Sequence, residues 1–135
     1  MPFVRIDAFG TEPDRLAALG DAVQDALVET LGVPSDDRFQ VLTAHDGVRS
    51  TLRYDSHLGL PKDESTVFVA ITMRAGRAPE RKRALYRRIA ELVHERTGTA
   101  PHDVVVTVTE NASVDWSFGD GQAQYAPADG EPAGA

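Results

Sequence analysis

Two stretches of this 135-residue chain follow one plan. In the first, FVRIDA (3–8) alternates apolar and polar residues, the pattern of a half-buried strand. Thr11 stands three residues before Asp14 as a helix cap, and Leu16, Leu19, Val23, Leu27 and Leu31 then recur at helical spacing. Gly32 stops that helix, Pro34 follows, and FQVLTAH (39–45) reads as a second strand. In the second stretch, TVFVAITM (66–73) is a β-branched apolar run, and Leu85, Ile89, Leu92 and Val93 make an apolar helix face. Gly98 and Pro101 end that helix, and DVVVTVTE (103–110) is the last strand. The corners at Gly32 and Gly98 lie 66 residues apart, so the order is β-α-β, a connection, then β-α-β.

Right-handed crossovers put each helix on the same side of its parallel strand pair. The expected fold is therefore α+β: two tandem β-α-β units forming one four-stranded mixed sheet, with two helices on one face. A single domain over residues 1–125 accounts for this pattern. APADGEPAGA (126–135) is expected to be a disordered tail. Strand 66–73 is apolar on both faces, so the sheet face without helices is expected to be covered by other subunits.

Composition excludes several functions. The chain has no cysteine, which removes disulfides, thiolate metal sites and a cysteine nucleophile, and fits a cytoplasmic location. A net charge of −7 argues against a nucleic-acid partner. The basic run from Arg81 to Arg88 reads as a solvated helix face. Apolar runs are too short to span a bilayer, and Arg5 and Asp7 interrupt any signal-peptide core. His45, His57, His94 and His102 lack metal-ligand spacing, and no phosphate loop or dinucleotide fingerprint is present. No metal and no cofactor are expected. The irregular connection 46–65 is long for a compact domain, and such connections often carry function.

Pro2 has two readings. A proline opening a strand is structurally cheap at an edge. Once Met1 is removed, it also supplies a secondary amine, a rigid base or acid. Arg74 and Arg77 offer planar paired donors suited to a substrate carboxylate, or they are a solvated turn ahead of a helix. Asp37, with Asp36 beside it, is a catalytic carboxylate or a turn acid. Trp116 and Phe118 are core packing, a pocket wall, or both.

Pro2 ahead of the doubled β-α-β pattern, with GVPSDDRFQ (32–40), MRAGR (73–77) and ENASVDWSFGDGQAQ (110–124), resembles the tautomerase superfamily. Within it, the WSFG core resembles the malonate semialdehyde decarboxylase-like branch. That resemblance implies a homotrimer, no cofactor, and a site made of an amino-terminal proline at Pro2, an aspartate at Asp37 and an arginine pair at Arg74 and Arg77. It also implies an aromatic wall at Trp116 and Phe118. The family pattern commonly has one residue between the arginines, whereas Ala75 and Gly76 make two here. The related dehalogenases use a histidine in the first helix, and residues 13–31 contain none. The implied activity is decarboxylation or hydration of small oxo carboxylic acids with cationic Pro2. The alternative is keto–enol tautomerisation with neutral Pro2 as general base. A non-catalytic oligomeric ligand-binding module is a second alternative.

Overall fold

Strands β1 (Phe3–Phe9), β2 (Gln40–His45), β3 (Val67–Arg74) and β4 (Val104–Asn111) form one sheet in the order β2-β1-β3-β4. The computed structural model describes residues 1–10, 12–45, 51–60 and 65–128. β1 runs parallel to β2 and antiparallel to β3, and β3 runs parallel to β4. Helices α1 (Pro13–Leu31) and α2 (Pro79–Thr97) make the two parallel crossovers. The sheet is therefore mixed, parallel within each β-α-β unit and antiparallel where the two units join.

Alternation within the strands decides which side carries the core. Val4, Ile6 and Ala8 of β1 and Val67, Val69, Ile71 and Met73 of β3 are all buried under the helices. They meet Leu19, Val23 and Leu27 of α1 and Leu85, Ile89 and Val93 of α2. Each of these side chains larger than alanine contributes about 1.5–3 kcal/mol on burial. The opposite face of β3 carries Phe68, Ala70 and Thr72, of which Ala70 is exposed. That face is less apolar than the run TVFVAITM suggests, because Ala70 and Thr72 contribute small and polar surface.

Both helices end where a glycine takes a left-handed conformation, Gly32 at φ 69° and Gly98 at φ 76°, which side chains with a Cβ resist. Proline opens each helix at its first turn, where its missing N–H has no partner to lose. Thr11 lies outside the described residues, and the observed cap position of α1 is Glu12, which makes no side-chain cap bond. Of the connection 46–65, residues 51–60 and 65 are described; of the tail, residues 126–128. The basic residues of the run are exposed or half-buried, and two of them also tie α2 to α1. Arg81 donates to the Thr30 carbonyl at the end of α1, and Arg88 pairs with Glu29. Among the described residues, no helix is long and apolar enough to cross a membrane.

Candidate active site

The topology brings four chain segments to one end of the sheet. Antiparallel pairing sets Phe3 of β1 opposite Thr72, near the end of β3. Parallel pairing sets Val4 opposite Gln40, at the start of β2. Arg74 at the end of β3 faces Asn111 at the end of β4. The chain start, the loop before β2, the turn after β3 and the segment after β4 therefore surround one point. A cavity of about 550 Å³ lies there, lined by Met1, Val33, Pro34, Asp36, Asp37, Phe39, Arg74, Arg77 and Tyr125, among others.

Each charged group in it has a local reason for its place. The loop carrying Asp37 is fixed by its N–H donating to the Pro34 carbonyl at 3.0 Å. It is also fixed by Gln24 of α1, whose buried amide donates to the Asp37 carbonyl at 3.0 Å. The Asp37 carboxyl keeps one oxygen, Oδ1, buried without a hydrogen-bond partner. Burial pushes this carboxyl above its usual range, the neighbouring α-amine opposes the shift, and Asp36 adds to it. Arg74 is the last residue of β3, not part of the turn, because its strand pairing continues to Asn111. Arg77 lies in the turn and returns its Nη1 to the Arg74 carbonyl at 3.2 Å.

Pro2 is buried, and the α-amine of Met1 before it lies in the field of these charges. Burial pulls that amine below its ordinary value, Asp37 pulls it up, and Arg77 and Arg74 pull it down again. A cation-forming amine, the carboxylates of Asp36 and Asp37 and the guanidinium groups of Arg38, Arg74 and Arg77 thus share one pocket. Such a set can bind an anion and move one proton.

A sequence model of a family described as "Tautomerase enzyme" matches residues 37–119, and a second with the same description matches residues 2–60. The chain belongs to the tautomerase family. It is 34% identical over 126 residues to the probable tautomerase YusQ of Bacillus subtilis (strain 168), spanning 92% of this chain and 98% of that one. Among solved structures it is similar to the FG41 malonate semialdehyde decarboxylase inhibited by 3-bromopropiolate. The TM-score is 0.82 at 42% identity, over 91% of this chain and 93% of that chain. A second malonate semialdehyde decarboxylase, studied for its decarboxylase and hydratase activities, gives a TM-score of 0.81 at 31% identity, over 90% and 94% of the two chains.

The aromatic wall of this tautomerase-family cavity differs from the sequence expectation. Phe39 and Tyr125 line it; Trp116 and Phe118 are not among its lining residues. They stand one layer back. Trp116 stacks on Phe118 with ring centroids 5.5 Å apart, and Phe118 packs edge-on to Tyr125 at 4.9 Å. The Trp116 indole N–H donates to the Asn111 side chain at 2.7 Å, which ties this stack to the end of β4. Burial raises the Tyr125 phenol, and the Asp37 charge raises it further.

Sequence reasoning missed Tyr125, Phe39 and Gln24. Phe39 reads as the first residue of a strand, and nothing in the helical pattern of residues 13–31 singles out Gln24. Tyr125 stands at the far end of the domain with no spacing to Arg74 that a linear reading detects. The histidines lie elsewhere. His45 pairs with Asp7 at 2.8 Å, His94 bonds the Thr99 carbonyl, and His57 and His102 line a second, apolar pocket. Among the described residues, no three His, Cys, Asp or Glu side chains are grouped as a metal site.

Proposed function

We propose that this chain is a cofactor-independent enzyme acting on small oxo carboxylic acids, with Pro2 as its amino-terminal catalytic group after loss of Met1. The observation that carries the reading is the meeting of the chain start, Asp37, Arg74 and Arg77 in one cavity. Guanidinium donors from Arg74 and Arg77 would take the substrate carboxylate. The Pro2 amine would then stand beside the substrate carbonyl, about one residue further along the chain than the Met1 amine.

The favoured reaction is that of a decarboxylase or hydratase. With a 3-oxo acid, protonated Pro2 polarises the carbonyl oxygen. The C–C bond to the carboxylate breaks, carbon dioxide leaves, and the electron pair moves into an enolate that takes the Pro2 proton. The neutral amine then regains a proton from solvent. Asp37 favours the cation that this route needs, and similarity to the malonate semialdehyde decarboxylases supports it. In hydration of an acetylenic 2-oxo acid, the same cation protonates carbon while water adds.

A second reading, keto–enol tautomerisation with neutral Pro2 as general base, is favoured by burial and by the two arginines, which pull an amine here downward. The pH dependence separates the two. If cationic Pro2 works, kcat/KM for decarboxylation of 3-oxopropanoate falls as pH rises through the titration of that amine. If neutral Pro2 works, kcat/KM for phenylpyruvate ketonisation rises through the same titration. Absence of both activities in Met-free protein leaves a ligand-binding module.

The proposed assembly is a homotrimer with the helix-free sheet faces turned inward. Phe3, Val41 and Phe68 lie on that face, and Val41 is exposed in the single chain.

A further inference from the structure

Among the described residues, Arg74 makes no ion pair, although it stands in a cavity with two aspartates. Its one side-chain donor bond, from Nη1 to the Ser113 hydroxyl, is long at 3.5 Å. What covers it instead is an aromatic ring: the guanidinium carbon sits 4.2 Å from the Tyr125 ring centroid. We infer that Tyr125 is a positioning residue, holding the Arg74 guanidinium by a cation–π contact in the orientation that receives the substrate carboxylate. This rests on the proposed role of Arg74 as carboxylate receptor.

An arginine at a strand end has several rotatable bonds and would sweep a wide volume. A ring against the guanidinium face restrains it while leaving the in-plane N–H groups open to a planar anion. The ring itself is held. Phe118 meets it at 74°, and Phe118 is stacked on Trp116. The backbone N–H of Phe118 donates to Gln124 Oε1 at 2.9 Å, and Gln124 Nε2 donates to the Gly119 carbonyl at 3.0 Å. Those two bonds close the turn that delivers Tyr125 to the cavity. A neutral phenol suits the role, and burial with Asp37 nearby holds the phenol protonated above its ordinary range.

The set-back aromatics thereby gain a purpose: Trp116 and Phe118 brace the ring that braces the arginine. Tyr125 acts on the substrate through Arg74 rather than by touching the reacting atoms.

The test uses malonate as a non-reacting carboxylate probe, titrated calorimetrically into the full chain. Tyr125→Phe keeps the ring face and should bind within about twofold of the parent. Tyr125→Leu keeps apolar bulk without the ring face and should bind about 3- to 30-fold more weakly. On a turned-over oxo acid, its KM should rise by a similar factor with a smaller fall in kcat. Both variants should melt within a few degrees of the parent. In an Arg74→Ala background, Tyr125→Leu should cause no further loss, since the contact it removes is already gone. Equal affinity of the Phe and Leu variants overturns the proposal, as does an undiminished Leu effect without Arg74. Failure of the parent chain to bind malonate overturns the carboxylate-receptor reading itself, and this inference with it.

Discussion

Asp37 shows how a side chain placed for the proposed chemistry costs the fold. One of its oxygens is buried with no partner, and burial holds its carboxyl above the ordinary value of 3.8. The folded chain therefore binds a proton here more tightly than the unfolded chain does. Stability from the neutral form is present at low pH and is lost as pH rises through and above that value. Asn copies the neutral form, so Asp37→Asn should melt at higher temperature than the parent at pH 7. The gain should vanish near pH 3 in thermal scans across the range. An unchanged or lower melting temperature at pH 7 would mean that the carboxylate finds a partner in solution. Residue types were legible where chemistry is specific: a proline after methionine, two closely spaced arginines, an aspartate after a helix stop. The surroundings that tune them were not, because burial and the approach of Tyr125 exist only in the folded chain.

At the scale of elements, one buried side chain couples helix and site. Gln24 is 2% exposed on α1, and its amide holds the carbonyl of Asp37. Gln24→Ala strands that carbonyl and should lower unfolding stability by about 1–3 kcal/mol, read from urea titration. The same change should lower kcat/KM, because the loop holding Asp37 is released. A stability loss with kcat/KM unchanged would separate Gln24 from the site. The elements themselves were readable, since Leu19, Val23 and Leu27 repeat at helical spacing and TVFVAITM is a β-branched apolar run. Their ends were less so. β3 runs on to Arg74, which moves that arginine from the turn ahead of α2 to a paired strand end. Nothing in MRAGR announces this, because the pairing partner Asn111 lies in the other strand of the unit.

At the scale of the whole molecule, antiparallel joining of two β-α-β units explains why one end of the sheet collects the chemistry. The start of β1 meets the end of β3, so residues far apart in sequence become neighbours. The sheet face without helices carries Phe3, Phe68 and the exposed Val41, and covering it should drive assembly. Sedimentation equilibrium at micromolar concentration should give a species of three chains; a single chain at that concentration would contradict the inward-facing arrangement. The central claim is that this assembled end of the sheet works through the amine of Pro2. Its most direct test is kcat/KM for decarboxylation of 3-oxopropanoate by two preparations whose intact masses show Met1 absent in one and retained in the other. Turnover confined to the Met-free preparation is the predicted result. Equal turnover in both would contradict it, because a retained methionine converts the Pro2 amine into an amide that cannot exchange a proton.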